Sequence, residues 1–464
     1  MAKSAWLELR SILFGSRAVR DAVIVGMLQV ANQGFRFIGN IVLASLLSPA
    51  IFGLLGLITA IRTGGELLTD IGISQNIVVS DDGSNQKFVE TAWGIQILRG
   101  LGLTLLGAVT AFPIAWYYGQ PKLGLLLLVG SLTSVVGAVG RPGPALCLRE
   151  RNMSAIAVCR LSVGLIGLVS SVALAWLVPS AMGQVIAGII ATILVSVLSF
   201  LILPLPGYRP RIDPRYRSKI LLFGRWIFVS SLVYFFASNF DRLYLPSHIP
   251  IALFGIYNMS RSLAGAFTQM ANDINRLVVL PTVARSKTSM ATMSARLGRT
   301  RFIGLAAMNA GLGVMIAGSD ILITTIFDVR YEMAAIILPI LLLGCWFSIH
   351  GSLVETTLLG LGFPQPMVVG NMMRLLSTAV GLPLALSAHG LFLALIVISF
   401  ADLPRYFWFT WQAFRKGVSF GGQEPTLFVM TVAIALVTRY ILVHVGLVDG
   451  LLSSVQMQAI AKLL

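Results

Sequence analysis

Charge is scarce in this chain of 464 residues, and negative charge is scarcest: Asp and Glu together number 18 against 34 Lys and Arg, and all four types make up only 11%. Soluble domains carry about 25% charged residues. With 56% hydrophobic residues and a mean hydropathy of +0.87, that shortage excludes a soluble globular protein. Cysteine is nearly absent too. Cys147, Cys159 and Cys345 have no disulfide or zinc spacing and read as small buried hydrophobes. The four histidines, His248, His350, His389 and His444, are scattered, so no metal site is expected. No phosphate-binding Walker loop, dinucleotide fingerprint, His-Glu-x-x-His or Gly-x-Ser-x-Gly occurs. ATP hydrolysis, catalytic residues and a bound cofactor are therefore not expected. The net charge of +16 comes with no basic tail and no basic-aromatic interleaving, which argues against nucleic acid as a partner.

What the chain has in abundance is apolar runs long enough to cross a bilayer. Spans are expected at 22–46, 53–79, 91–117, 123–146, 154–178, 183–204, 220–246, 251–280, 302–327, 334–360, 366–387, 390–413 and 427–446. Leu451 to Leu464 is too short for a confident span and reads as a surface helix or an incomplete fourteenth crossing. Residues 1–20 alternate Lys3, Arg10, Arg17 and Arg20 with Trp6, Leu7, Leu9, Ile12, Leu13 and Phe14, an amphipathic segment suited to lying on the membrane surface. No cleavage signal follows it. With the N-terminus inside, the inner loops hold Lys87, Arg149, Arg151, five basic residues within 209–219, Arg285, Lys287, Arg296, Arg299, Arg301, Arg415 and Lys416, while the outer loops hold little beyond Lys122 and Arg330. That asymmetry is the positive-inside pattern.

The most loop-like segment, 205–219, falls near the middle, and the two sides of it carry a weak repeat. Pro49-Ala-Ile-Phe52-Gly53 and Pro250-Ile-Ala-Leu-Phe254-Gly255 each close an outer turn and lead into a span with an early arginine, Arg62 or Arg261, and a later acid, Asp70 or Asp273. The organisation expected is an amphipathic segment (1–20), six spans (21–204), a basic cytoplasmic linker (205–219), six more spans (220–414) and a C-terminal extra span with a tail (415–464). Halves of six spans share one orientation, so the repeat is parallel.

The specific signal is charge at depth. Arg36 lies roughly 21 Å into the first span, and Arg62 and Arg261 roughly 15 Å into the second and eighth, at 1.5 Å per helical residue. Each such charge costs about 2.5–3.5 kcal/mol at a helix centre on insertion scales. Arginine is permanently charged, and its planar fork of donors fits phosphate oxygens. Three deep arginines suggest a cationic cavity for an anionic, phosphate-bearing cargo. Arg62, Glu66 and Asp70 are spaced four apart, one stripe of a continuous helix, which makes the two acids orienting partners of Arg62. Asp241 and Asp273 are candidate ion-coupling groups, with local salt bridges to Arg242 and Arg276 as the plainer alternative.

Leu47-Ser-Pro-Ala-Ile-Phe-Gly53, Leu68-Thr-Asp-Ile-Gly-Ile-Ser-Gln75, the run from Gly140 to Met153 and Leu358-Leu-Gly-Leu-Gly-Phe-Pro364 together resemble the bacterial polysaccharide and O-antigen flippases of the multidrug/oligosaccharidyl-lipid/polysaccharide exporter superfamily. The resemblance implies an all-α polytopic membrane protein with two six-helix lobes in a V around a central cavity, plus one or two extra C-terminal helices. It implies transfer of an undecaprenyl-diphosphate-linked oligosaccharide across a bacterial inner membrane by alternating access. Arg36, Arg62 and Arg261 fall in spans that hold the diphosphate in related lipid II flippases. Expected partners are that anionic lipid-linked oligosaccharide, membrane lipids, and the polymerase or export machinery of the same pathway. The alternatives are a drug/cation antiporter of the same superfamily, which favours acids over deep arginines, and a membrane polymerase, which needs larger extramembrane loops.

Overall fold

The computed structural model describes residues 17–150, 153–202, 207–275, 279–280, 283, 290–418, 422–450 and 452–463. Most of the expected amphipathic segment 1–20, together with Arg276, Arg285 and Lys287, lies outside the described residues. All regular structure among the described residues is helical. This follows from the composition, because an apolar run in lipid must pair its backbone groups within itself. The chain clusters into two compact units, one of 1–47 and 57–235, the other of Ser48–Gly56 and Phe236–Leu464. Ten helices of the described residues are long and apolar enough to cross a membrane.

The first unit is built from α1 (Arg17–Leu46), most of α2 (Pro49–Leu68), α3 (Ile73–Val79), α4 (Gln86–Tyr117), α5 (Pro121–Val139), α6 (Gly143–Arg149), α7 (Met153–Leu177), α8 (Ala181–Ile202) and the first part of α9 (Pro214–Tyr244). Asn85 caps α4, its side chain accepting from the Lys87 amide at 2.9 Å, and Pro121 opens α5 where a missing N–H costs nothing. α4 packs along α5, with Trp93 Nε1 donating to the Val139 carbonyl at 3.2 Å and Thr104 Oγ1 to the Ser131 carbonyl at 2.9 Å. The polar ends are tied by side chains. Arg149 donates to the carbonyls of Ile77, Val78 and Ser80 at 3.0, 3.0 and 2.6 Å, closing the C-terminal end of α3. The stretch 207–213 runs along the start of α4, where the Arg209 amide donates to Glu90 Oε1 at 3.1 Å and the Asp213 amide to Thr91 Oγ1 at 3.2 Å. Around these ties Ile73, Ile77, Phe88, Ile95, Leu146 and Ile220 form a buried apolar cluster. Large apolar side chains lie outward, Trp116 being 87% and Val109 74% exposed, the reverse of a soluble surface.

The second unit adds the rest of α9, α10 (Ile251–Ile274), α11 (Met290–Ile326), α12 (Ala334–Gly360), α13 (Gln365–Phe400), α14 (Leu403–Arg415), α15 (Gln423–His444) and α16 (Ser454–Leu463). α12 is its centre, 78% buried over its apolar window and packed by α10, α11, α13 and α14. α13 is not one straight rod. Gly390 takes a φ of 67°, and a Cβ on Gly381 would lie 2.8 Å from Val397 Cγ1. A straight helix would hold those positions about 24 Å apart, so the chain folds back at Gly390 into two antiparallel limbs, which are the eleventh and twelfth spans. α16 is too short to cross, about 15 Å, and is anchored by Gln456, which donates to the Ala335 carbonyl at 3.2 Å.

The repeated turns meet each other inside this unit. A Cβ on Gly53 would lie 2.1 Å from the Ile251 carbonyl oxygen, and a Cβ on Gly255 would lie 1.8 Å from that of Pro49. The start of α2 and the start of α10 therefore cross at backbone contact, each through its own glycine, with Phe52 edge-on to Tyr331 at 5.9 Å.

Candidate anion-binding residues and the buried charges

The expected cations divide sharply by environment. Arg36, on α1, is exposed and forms no ion pair among the described residues. Arg62, on α2, is half exposed and loosely paired with Glu66, Nε to Oε1 at 3.6 Å, with side chains 43% and 48% exposed. Neither guanidinium donates a hydrogen bond to a protein acceptor among the described residues.

The stripe through Arg62, Glu66 and Asp70 is interrupted. α2 ends at Leu68, and Gly72 takes a φ of 61° ahead of α3. Asp70 sits in the intervening turn, where its Oδ1 accepts from the Gly72 amide at 2.9 Å. Its basic neighbour is Arg99 of α4, at 4.0 Å, rather than Arg62. Arg99 also donates to Thr69 Oγ1 at 3.0 Å and to the Glu66 carbonyl at 2.5 Å, taking up a backbone acceptor left open by the helix end. Asp-Ile-Gly after a helical run is the turn chemistry that signals this break. Glu66 remains the acid beside Arg62.

Arg261 differs from the other two. Its guanidinium is ion-paired to Asp241 and donates through Nη2 to the Ser238 carbonyl at 2.5 Å. The Tyr257 hydroxyl donates to the same carboxylate, which is 4% exposed. Asp241 is thus ion-paired with an arginine twenty positions away on the next helix. Asp273 accepts from Gln269 Nε2 at 3.2 Å, one turn earlier; its contact with Arg276 lies outside the described residues.

Three further buried charge groups in the second unit hold arginines to which the sequence gives no binding role, among them Arg301, expected in an inner loop and found buried within α11. Arg405 bridges Glu355 at 2.5 Å and Asp402 at 3.3 Å, and Arg374 meets Asp402 at 3.3 Å. Arg439 meets Asp320 at 2.9 Å and donates to the Ala317 carbonyl at 2.9 Å. Arg301 is paired with Glu424. Most of these pairs join residues far apart in the chain, so only the excess of acids at depth in this half hinted at them. Among the described residues no group of three or more His, Cys, Asp and Glu could hold a metal ion.

Comparison with known proteins agrees with this architecture. The solved structure of the lipid II flippase MurJ in an inward closed conformation matches with a TM-score of 0.69 and 11% identity, covering 92% of this chain and 98% of that one. An inward-facing multidrug resistance MATE family transporter of the MOP superfamily matches with a TM-score of 0.64 and 13% identity, covering 86% and 99%. At such identities the likeness shows the fold. Among curated relatives, the lipopolysaccharide biosynthesis protein WzxC of Escherichia coli (strain K12) is 24% identical over 67% of this chain. That match spans 63% of WzxC, less than two thirds of its length. The amylovoran biosynthesis protein AmsL of Erwinia amylovora is 19% identical over 57% of this chain and 69% of its own. Residues 42–336, more than half of the sequence, match the family described as polysaccharide biosynthesis protein. This multi-pass membrane protein belongs to the polysaccharide biosynthesis protein family.

Proposed function

We propose that this protein is a flippase that carries an undecaprenyl-diphosphate-linked oligosaccharide repeat unit across a bacterial inner membrane, N-terminus in the cytoplasm, for exopolysaccharide, capsule or O-antigen synthesis. The observation that carries the reading is the pair of exposed guanidinium groups, Arg36 on α1 and Arg62 on α2. An arginine at such depth without a close protein partner needs an anion or water, and a diphosphate offers the oxygens that its fork matches. Glu66 orients Arg62. Arg261, held by Asp241, supplies a further cation from the second unit, and its remaining exposed edge is available to acidic sugar groups. The prenyl tail stays in lipid, and the cargo passes by alternating access of the two lobes on either side of the 205–219 linker. The absence of sizeable extramembrane segments among the described residues, and relatives and neighbours that are biosynthesis proteins and transporters, support transport over polymerisation.

Lipid analysis of a deletion strain tests this. The expected result is undecaprenyl-linked repeat units accumulating on the cytoplasmic face, restored to the periplasmic face by the wild-type gene. Normal delivery to the periplasmic face in the deletion strain overturns the reading, and delivery of monomers with loss of long chains points to a polymerase.

A further inference from the structure

The second unit encloses a polar cluster that the anion reading does not use. His350, on α12, is 0% exposed. Its Nδ1 lies 2.8 Å from the carbonyl oxygen of Trp346, one turn earlier. A carbonyl can only accept, so Nδ1 carries a hydrogen and the neutral ring leaves a bare lone pair on Nε2. Nε2 faces the Asn309 side-chain amide at 3.4 Å and Glu424 Oε2 at 3.7 Å. The other oxygen of Glu424 is taken by Arg301. Oε2 is itself buried without a hydrogen-bond partner among the described residues.

Two acceptors therefore face one another where solvent does not reach. Without a proton between them Oε2 lacks a donor and Nε2 has only the long contact from the Asn309 amide, and a buried acceptor without a donor is unfavourable. One proton, on Nε2 or on Oε2, converts the facing lone pairs into a donor and an acceptor. From this geometry we infer that His350 and Glu424 form a binding site for a single exchangeable proton.

The surroundings suit both states. Trp346 stacks on the imidazole, ring centroids 4.0 Å apart at 21°, and an aromatic face stabilises an imidazolium. The pair Arg301 and Glu424 is neutral when the proton is absent, and the cluster becomes singly positive when it binds. Arg301 of α11, Glu424 of α15 and Tyr406 of α14, which adjoins Glu424 and packs edge-on to Trp346 at 5.7 Å, are the charged or titratable groups facing His350. Arg374 of α13 and Arg405 of α14 are engaged with Asp402 and Glu355. α10 and α16 meet α12 through Cys345 on the Ala264 carbonyl and Gln456 on the Ala335 carbonyl. A unit charge appearing among α11, α12 and α15 changes the electrostatics between three packed helices, which gives proton binding a route to conformation. The use of that proton to drive cargo rests on the flippase reading; its existence does not.

The test is a pH titration of tryptophan fluorescence on the purified full-length protein in potassium chloride, over about pH 4 to 9. An imidazolium stacked on Trp346 quenches it more than neutral imidazole does, so the wild type is expected to show a one-proton component. His350→Gln and Trp346→Phe each abolish that component, and Glu424→Gln displaces it along the pH axis. Trp346→Phe keeps the apolar stack, so the test survives if His350→Gln does not fold. A component absent from the wild type, or unchanged in His350→Gln or Trp346→Phe, overturns the assignment. So does a midpoint that moves when sodium replaces potassium, which marks a metal-cation site. If the deletion strain delivers its repeat units normally, the flippase reading falls while this titration still decides the proton site.

Discussion

The two units handle the same physical problem, charge in an apolar chain, differently at their deep arginines. In the first, Arg36 and Arg62 are exposed, and the Arg62 pairing with Glu66 is long and half open. In the second, Arg261, Arg301, Arg374, Arg405 and Arg439 each meet a carboxylate that is mostly or wholly buried. Depth in the sequence alone does not distinguish an arginine left exposed from one that joins helices. The difference lies in whether a neighbouring helix presents an acid, and the buried acids lie mostly in the second unit, Asp241, Asp320, Asp402 and Glu424 against Glu90 in the first. The first unit leaves Arg36 and Arg62 exposed while tying Arg99 and Arg149 to its own acceptors, and the second pairs its buried arginines with buried acids.

The comparison is broken most severely by removing a shared cation from the second unit. Arg405→Leu strands Glu355 and leaves Asp402 to Arg374 alone, and losing one partner of a buried pair costs about 3–5 kcal/mol. The expected outcome is a large fall in the thermal midpoint and in folded yield in detergent. An unchanged midpoint would mean that these pairs are not what holds α12, α13 and α14 together.

A smaller loss is expected where backbones cross. Gly255→Ala drives a methyl into the Pro49 carbonyl, an overpacking cost of about 1–3 kcal/mol. Gly102→Ala on α4 has nothing within 4 Å and is expected to be neutral or to gain up to about 1 kcal/mol from helix propensity. Thermal unfolding of the two variants side by side reads the contrast.

Arg62→Ala should cost little stability, about 0–1 kcal/mol, because the pair it breaks is half exposed. The smallest effect belongs to Asp328, in the loop between α11 and α12. Hydrogen bonds from the Arg330 side chain and amide hold its carboxyl below the usual range. That contribution is present at neutral pH and lost as pH falls through the folded value. Asp328→Asn is expected to lower the neutral plateau of a thermal-shift profile slightly, leave its acid end unchanged and so flatten its acid limb.

Much of this was legible in the sequence. Helices stand at the expected span positions among the described residues, ten of them long and apolar enough to cross a membrane, with 53–79 and 123–146 each broken into two helices, and the fold-back at Gly390 separates the eleventh and twelfth as the apolar runs did. The repeat was legible as paired Pro and Phe-Gly turns, though not that Gly53 and Gly255 meet through each other's backbones. The stripe of Arg62, Glu66 and Asp70 misled, because four-residue spacing has meaning only while the helix lasts, and it ends at Leu68. The Asp241 pairing was out of reach for a different reason: its partner is remote in sequence and adjacent only after α9 and α10 pack.

The account stands or falls on the exposed arginines of the first unit. The decisive measurement is the membrane face of undecaprenyl-linked repeat units in a strain carrying Arg36→Ala and Arg62→Ala together, with protein level and thermal midpoint checked against wild type. The account predicts a stable protein at normal abundance and repeat units stalled on the cytoplasmic face. Repeat units reaching the periplasmic face at the wild-type rate would contradict it.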